Sequence, residues 1–149
     1  MRSRQGLTGL VLCLTLAPSA NGSDVGGPLR PRLQGITGAN AVNCGVFREP
    51  AGKRFTPDVD DAGKTVGRCI SAALHARRGF IVTMEWWSAN RPARLEMATG
   101  LAGTPAGDVK RFWYEAPCPS CEPKWDVVAC HLTEKDLEQV LLNEVCVEK

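Results

Sequence analysis

Residues 60–87, DDAGKTVGRCISAALHARRGFIVTMEWW, decide how the chain is read. Val66, Cys69, Ile70, Ala73 and Leu74 fall at i, i+3, i+4, i+7 and i+8, the spacing that gathers apolar side chains on one helical face. Arg77 and Arg78 stand in the last turn, where positive charge suits the exposed carbonyls. Gly79 follows at the position where a left-handed cap needs no Cβ. Phe80 to Trp87 is then rich in β-branched and aromatic residues, the composition of a strand. An amphipathic helix that turns directly into a strand predicts a helix laid on an antiparallel sheet.

Downstream, Ser88-Ala89-Asn90-Arg91-Pro92 reads as a turn. Arg94 to Leu101 alternates, with Leu95, Met97 and Leu101 assigned to one side and Arg94 and Glu96 to the other. A second turn over 103–108 leads to a strand from Val109 to Glu115, and Trp125 to Cys130 reads as a fourth strand, although Trp125, Val128 and Ala129 also fit a helical spacing. At the C-terminus Thr133 can cap a helix, Asp136 can answer it, and Leu132 can pack on Leu137 as a staple. Leu137, Val140, Leu141 and Val145 would form its buried stripe, with Cys146 at its end.

Upstream, Asp60 or Asp61 can cap the first helix, whose Gly67 weakens it by about 1 kcal/mol relative to alanine. Residues 48–61 read as a loop, and Ala41 to Phe47 as a short strand carrying Cys44. Residues 23–40 are rich in Gly, Pro and Arg without a sustained period and read as a flexible lead-in. The expected fold class is α+β: one amphipathic helix on a meander of three or four antiparallel strands, plus a short C-terminal helix. Its order of elements matches cystatin-like folds, an analogy of architecture alone.

The first 22 residues read as a secretory signal peptide rather than as fold. Arg2 and Arg4 precede an uncharged apolar run from Leu7 to Ala17, and small residues place cleavage within about 19–23. The run is shorter than the roughly 20 apolar residues that span a bilayer, so residues 41–149 form one exported domain, periplasmic or extracellular, with no transmembrane segment. Losing Arg2 and Arg4 brings the 18 basic residues level with the 16 acidic ones, which argues against a general attraction to nucleic acid. Losing Cys13 leaves six of the seven cysteines. An even set, Cys44, Cys69, Cys118, Cys121, Cys130 and Cys146, reads as a disulfide framework in such a compartment. A bond from Cys69 to Cys44 would pin the first strand to the helix. The other pairings stay open.

Local chemistry is sparse. Gly63-Lys64-Thr65 ends like a phosphate loop, but Asp58 stands where that motif needs its first glycine. Cys118-Pro119-Ser120-Cys121 has the spacing of a redox motif, yet its prolines indicate a hairpin loop rather than the helix N-terminus that lowers a thiol pKa. A zinc site from Cys118, Cys121, Cys130 and His131 would have to use two adjacent residues. His75 lies opposite the apolar stripe and His131 beside a cap, so no triad, metal or cofactor is expected. The aromatic residues are the better binding candidates. Adjacent Trp86 and Trp87 must face opposite sides of a strand, as must Trp113 and Tyr114.

Cys44-Gly45, the alanine-rich helix opened by Cys69, and Gly79-Phe80-x-Val82 entering a meander resemble small exported bacterial proteins of uncharacterised role. The likeness spans about Cys44 to Cys130. It implies an exported α+β domain and no particular activity. Function is therefore expected to be non-enzymatic binding of a protein or small ligand through an aromatic sheet face. The alternatives are a thiol–disulfide redox protein using Cys118 and Cys121, and a structural, envelope-associated protein.

Overall fold

A computed structural model describes residues 27–49, 59–90, 92–138, 140 and 146. The leader, the segment 50–58 and the helical positions expected at Leu141 and Val145 lie outside those residues. The order of elements is α1 (Arg30–Thr37), β1 (Val42–Glu49), α2 (Val59–His75), β2 (Phe80–Trp87), β3 (Leu95–Gly103), β4 (Val109–Glu115), β5 (Lys124–Cys130) and α3 (Glu134–Glu138). Among the described residues the fold is α+β, with three helices and a five-stranded mixed sheet in the order β1-β2-β3-β4-β5.

The sheet is not a pure meander. β2 to β5 pair antiparallel in sequence order, but β1 runs parallel to β2. A parallel pair needs a crossover of a dozen or more residues, and α2 supplies it. The helix carries the chain back to the end of the sheet from which β1 started. Asn43 Oδ1 accepts a hydrogen bond from the Gly45 amide at 3.0 Å, where the β1 register shifts.

Helices cover both faces. On one, Val66, Ile70 and Ala73 of α2 pack with Phe80, Val82 and Leu101, joined by Leu137 of α3 and by Val140 just after it. Helix α3 starts with reciprocal hydrogen bonds between Thr133 and Asp136, as the residues predict. On the other face, Leu29 and Leu33 at α1 pack on Ile81, Ala98, Ala102 and Phe112. The segment 23–40 thus contains a helix. The buried residues Leu33 and Thr37 of this helix and Leu29 just before it repeat every four positions, and Thr37 returns its hydroxyl to the Leu33 carbonyl at 3.0 Å. Most helical stability comes from such packing rather than from propensity.

Two details, one at the end of α2 and one in β3, differ from the sequence reading. The left-handed residue at its end is Arg77 (φ 50°), not Gly79. Arg78 N–H donates to the Ala73 carbonyl and Arg77 N–H to that of Leu74, which is a Schellman closure two residues earlier. Gly79 serves another end: a Cβ there would strike the Thr37 carbonyl at the end of α1. In β3, a register shift between Trp86 and Trp87 places Leu95 on the α1 face, whereas Leu101 lies on the α2 face.

Cysteine pairs at disulfide distance join Cys44 to Cys69, Cys118 to Cys121 and Cys130 to Cys146, with Cα separations of 5.5, 5.1 and 5.3 Å. The first ties β1 to α2 and the third ties the end of β5 to the C-terminal segment. The second stays within the β4–β5 loop.

Candidate binding site

Alternation and register sort the aromatic residues. Arg48, Glu85, Ala98, Tyr114 and Trp125 form one cross-strand row spanning all five strands. Directly paired residues share a face, and this row looks toward the α1 side, where Ala98 and Tyr114 are core. Trp87 follows Glu85 on that face, opposite Leu95. Trp86 and Trp113 therefore face the α2 side. Trp113 lies beyond the cover of α2 and is 39% exposed. It borders a hollow of about 240 Å³ with Arg111, Asp126 and Val128.

Trp87 is fixed by its neighbours. Its indole N–H donates to Glu85 Oε2 at 2.9 Å, and the same oxygen accepts from Arg48 Nε at 3.2 Å. Thr83 Oγ1 donates to Glu85 Oε1 at 3.3 Å. Glu85 is fully buried, so these donors answer the cost of placing a carboxylate inside. The Arg48 guanidinium also lies 5.3 Å from the centre of the Trp87 ring, within cation–π range. The small Ala98 across from Glu85 leaves the row uncrowded. Tyr114 is 4% exposed, and beyond it Trp125 stacks on Phe112 at 5.3 Å and meets Arg32 of α1.

A cavity of about 430 Å³ opens where this face runs past the N-terminal end of α1. Trp87, Leu95, Tyr114 and Ala116 line it, with Gly27 and Pro28 before α1 and the Cys118–Cys121 loop also contributing to its wall. Arg94 sets that loop: its guanidinium donates to the carbonyls of Ala116 (2.6 Å) and Pro117 (3.2 Å) and to Glu96 (2.9 Å). Arg94 is itself held by a pair of hydrogen bonds with Ser88. Within the loop, the Cys121 amide donates to the Cys118 carbonyl at 3.2 Å, and Ser120 Oγ lies 3.5 Å from Cys118 Sγ.

The four aromatic candidates are thus divided by the sheet. Trp87 and Tyr114 meet at the cavity, while Trp86 and Trp113 look the other way. Cys118 and Cys121 join Trp87 and Tyr114, whereas Cys130 sits opposite Val109 at the far end of β5. Sequence reasoning did not single out Glu85, Arg48, Arg94 or Leu95. Glu85 carried a usable signal, a single acid within an otherwise apolar strand. The positions of Arg94 and Leu95 depend on a register shift that no local pattern announces.

Three cysteine pairs at disulfide distance are compatible with an oxidising, exported location, and among the described residues no helix is long and apolar enough to cross a membrane. No protein-family model matches the chain, and no curated protein or solved structure matches it.

Proposed function

We propose that this chain is an exported, disulfide-stapled binding module that takes a small apolar or aromatic group, free or on a partner, into the cavity beside Trp87 and Tyr114. The observation that carries this reading is the cavity itself. Its volume of about 430 Å³ falls in the range of roughly 300–1,000 Å³ common to small-molecule sites. Its lining sets the rings of Trp87 and Tyr114 beside Leu95, prolines and the Cys118–Cys121 loop, with the Arg94 side chain as its one charged group. The Glu85–Arg48 pair keeps the Trp87 ring in one orientation, and a fixed aromatic wall lowers the entropy lost on binding.

The test is a titration with indole, followed by the indole N–H resonances of the four tryptophans in a nitrogen-15 NMR spectrum. The Trp87 resonance should move and saturate, and Trp87→Ala should weaken binding by about tenfold or more, the loss expected for an aromatic contact surface. Shifts confined to Trp86 and Trp113 would move the site to the opposite face. Loss of fold in Trp87→Ala would make that ring core; Trp87→Phe, which keeps a ring, then measures the binding contribution.

A further inference from the structure

The three cysteine pairs differ in what they fasten. Cys44–Cys69 joins a strand to a helix, and Cys130–Cys146 holds the C-terminal segment. Cys118–Cys121 joins two positions three residues apart within one loop. That loop is independently set by Arg94, which grips the carbonyls of Ala116 and Pro117. A bond closing so short a loop removes the least chain entropy of the three. Both its half-cystines are partly exposed, and both line the apolar cavity.

We propose that Cys118–Cys121 is a thiol–disulfide exchange site for a cysteine-bearing peptide whose neighbouring apolar or aromatic side chain enters the cavity. The proposal rests on the binding reading above and names the class of ligand. A substrate thiolate attacks Cys121 Sγ. The Cys118–Cys121 bond breaks, a substrate–Cys121 disulfide forms, and the electron pair leaves on Cys118 Sγ. Ser120 Oγ, 3.5 Å from that sulfur, can then donate to the thiolate. A hydroxyl donor favours the charged form, so Cys118 is the better leaving group and Cys121 the sulfur attacked. A second substrate thiolate attacks the substrate's sulfur in the mixed disulfide and releases Cys121. In sum, two substrate thiols become one disulfide, the protein disulfide becomes a dithiol, and the two substrate protons pass to the protein sulfurs. The protein's own bridge is the oxidant, for one turn per chain.

The experiment uses the oxidised mature protein and two probe peptides, acetyl-Phe-Cys-Gly-amide and acetyl-Gly-Cys-Gly-amide. Exchange is quenched by alkylation, and each bridge is followed by mass spectrometry. The expected result is that Cys118–Cys121 opens before the other two bridges and that the mixed disulfide forms on Cys121. The Phe peptide should open it about tenfold faster than the Gly peptide, the gain expected from a partly buried aromatic side chain. Trp87→Ala should remove that advantage, so that the two peptides open the bridge at the same rate. The proposal is overturned if this bridge opens no faster than the others, or if the peptides react alike with wild-type protein. The peptide comparison needs no variant, so it stands even if Trp87→Ala fails to fold. Indole binding at Trp87 without a Phe advantage would remove the exchange site and leave the binding reading. Absence of both would remove both.

Discussion

Gly35 and Gly67 both stand inside helices, yet the same change to alanine should act in opposite directions at the two. A Cβ built at Gly35 of α1 meets nothing within 4 Å. Gly35→Ala should therefore recover much of the helix-propensity difference, roughly 0.5–1 kcal/mol. A Cβ at Gly67 of α2 would fall on the Leu137 carbonyl oxygen, with the carbonyl carbon 2.9 Å away. A backbone carbonyl cannot swing aside as the tip of a long side chain can, so α3 has to move off α2. That movement gives up the hydrogen bond from Val140 N–H to the Gly63 carbonyl, 3.3 Å long, about 1 kcal/mol. It also re-exposes Val140, now 5% exposed, a further loss of about 2 kcal/mol. Setting the helix gain of about 1 kcal/mol against these losses, Gly67→Ala should destabilise by about 2 kcal/mol. With a urea slope of roughly 2 kcal/mol per molar, the unfolding midpoint should fall by about 1 M, while Gly35→Ala raises it by a few tenths of a molar. Tryptophan fluorescence during urea unfolding of the oxidised proteins measures both. The slope should also shrink in Gly67→Ala, because a native state with α3 lifted exposes less new surface on unfolding. If Gly67→Ala stabilises as Gly35→Ala does, α3 does not rest on α2 at this point and the reasoning fails.

Glu85→Ala strips the acceptor from Trp87, Thr83 and Arg48 at once. It should destabilise by about 2–4 kcal/mol in the same urea assay, the Arg48 share being reduced because that side chain is 42% exposed; a change under 1 kcal/mol would show that the buried carboxylate is not needed to hold this row. Replacing Cys44 and Cys69 together by serine should cost about 3.5 kcal/mol for its separation of 25 residues. Doing so at Cys118 and Cys121, three residues apart, should cost about 2 kcal/mol or less, and the reverse ranking would mean that the short bridge organises the β4–β5 hairpin. The Asp136 carboxylate accepts from the hydroxyl of Thr133 and then from its backbone N–H, which holds it below the ordinary value of 3.8. A carboxyl lowered on folding contributes stability above its unfolded value and loses it as pH falls through the folded one, so this contribution fades below pH 3.8. Its NMR titration midpoint should rise toward 3.8 in Thr133→Ala, and a midpoint that stays put would deny the hydroxyl its role.

The stretches that sequence reading located best are those whose periodicity is local. Val66, Ile70 and Ala73 mark their own helical face, and Phe80 to Trp87 mark their own strand. Helix α1 escaped because one of its two buried residues is Thr37, whose hydroxyl is satisfied by the helix's own Leu33 carbonyl and so costs little to bury. Gly79 shows a different limit. Its place after two arginines fits a helix cap, but the carbonyl that forbids a Cβ belongs to Thr37, 42 positions earlier. The direction of β1 was equally invisible, since a strand of this composition pairs either way and the crossover through α2 decides.

The site obeys the same division. Alternation alone separates Trp86 from Trp87 and Trp113 from Tyr114, but it cannot say which member of one pair joins which member of the other. Register decides that. Glu85 pairs with Ala98 and Ala98 with Tyr114, so the residue after Trp113 and the residue two beyond Glu85 look the same way. The shift between Trp86 and Trp87 then brings Leu95 beside them and turns Met97 away. Had β3 paired with β2 one residue out of step, Leu95 would have left the cavity, because a slip of one exchanges the faces of a whole strand. The buried Glu85 is what makes that slip costly. Its carboxylate finds its donors in Thr83, Trp87 and Arg48 on one face, and the methyl of Ala98 is the only side chain directly across from it on β3. A one-residue slip would set Met97 or the polar Thr99 there instead. The acid that orients the binding tryptophan thus also helps to fix the register that assembles the site.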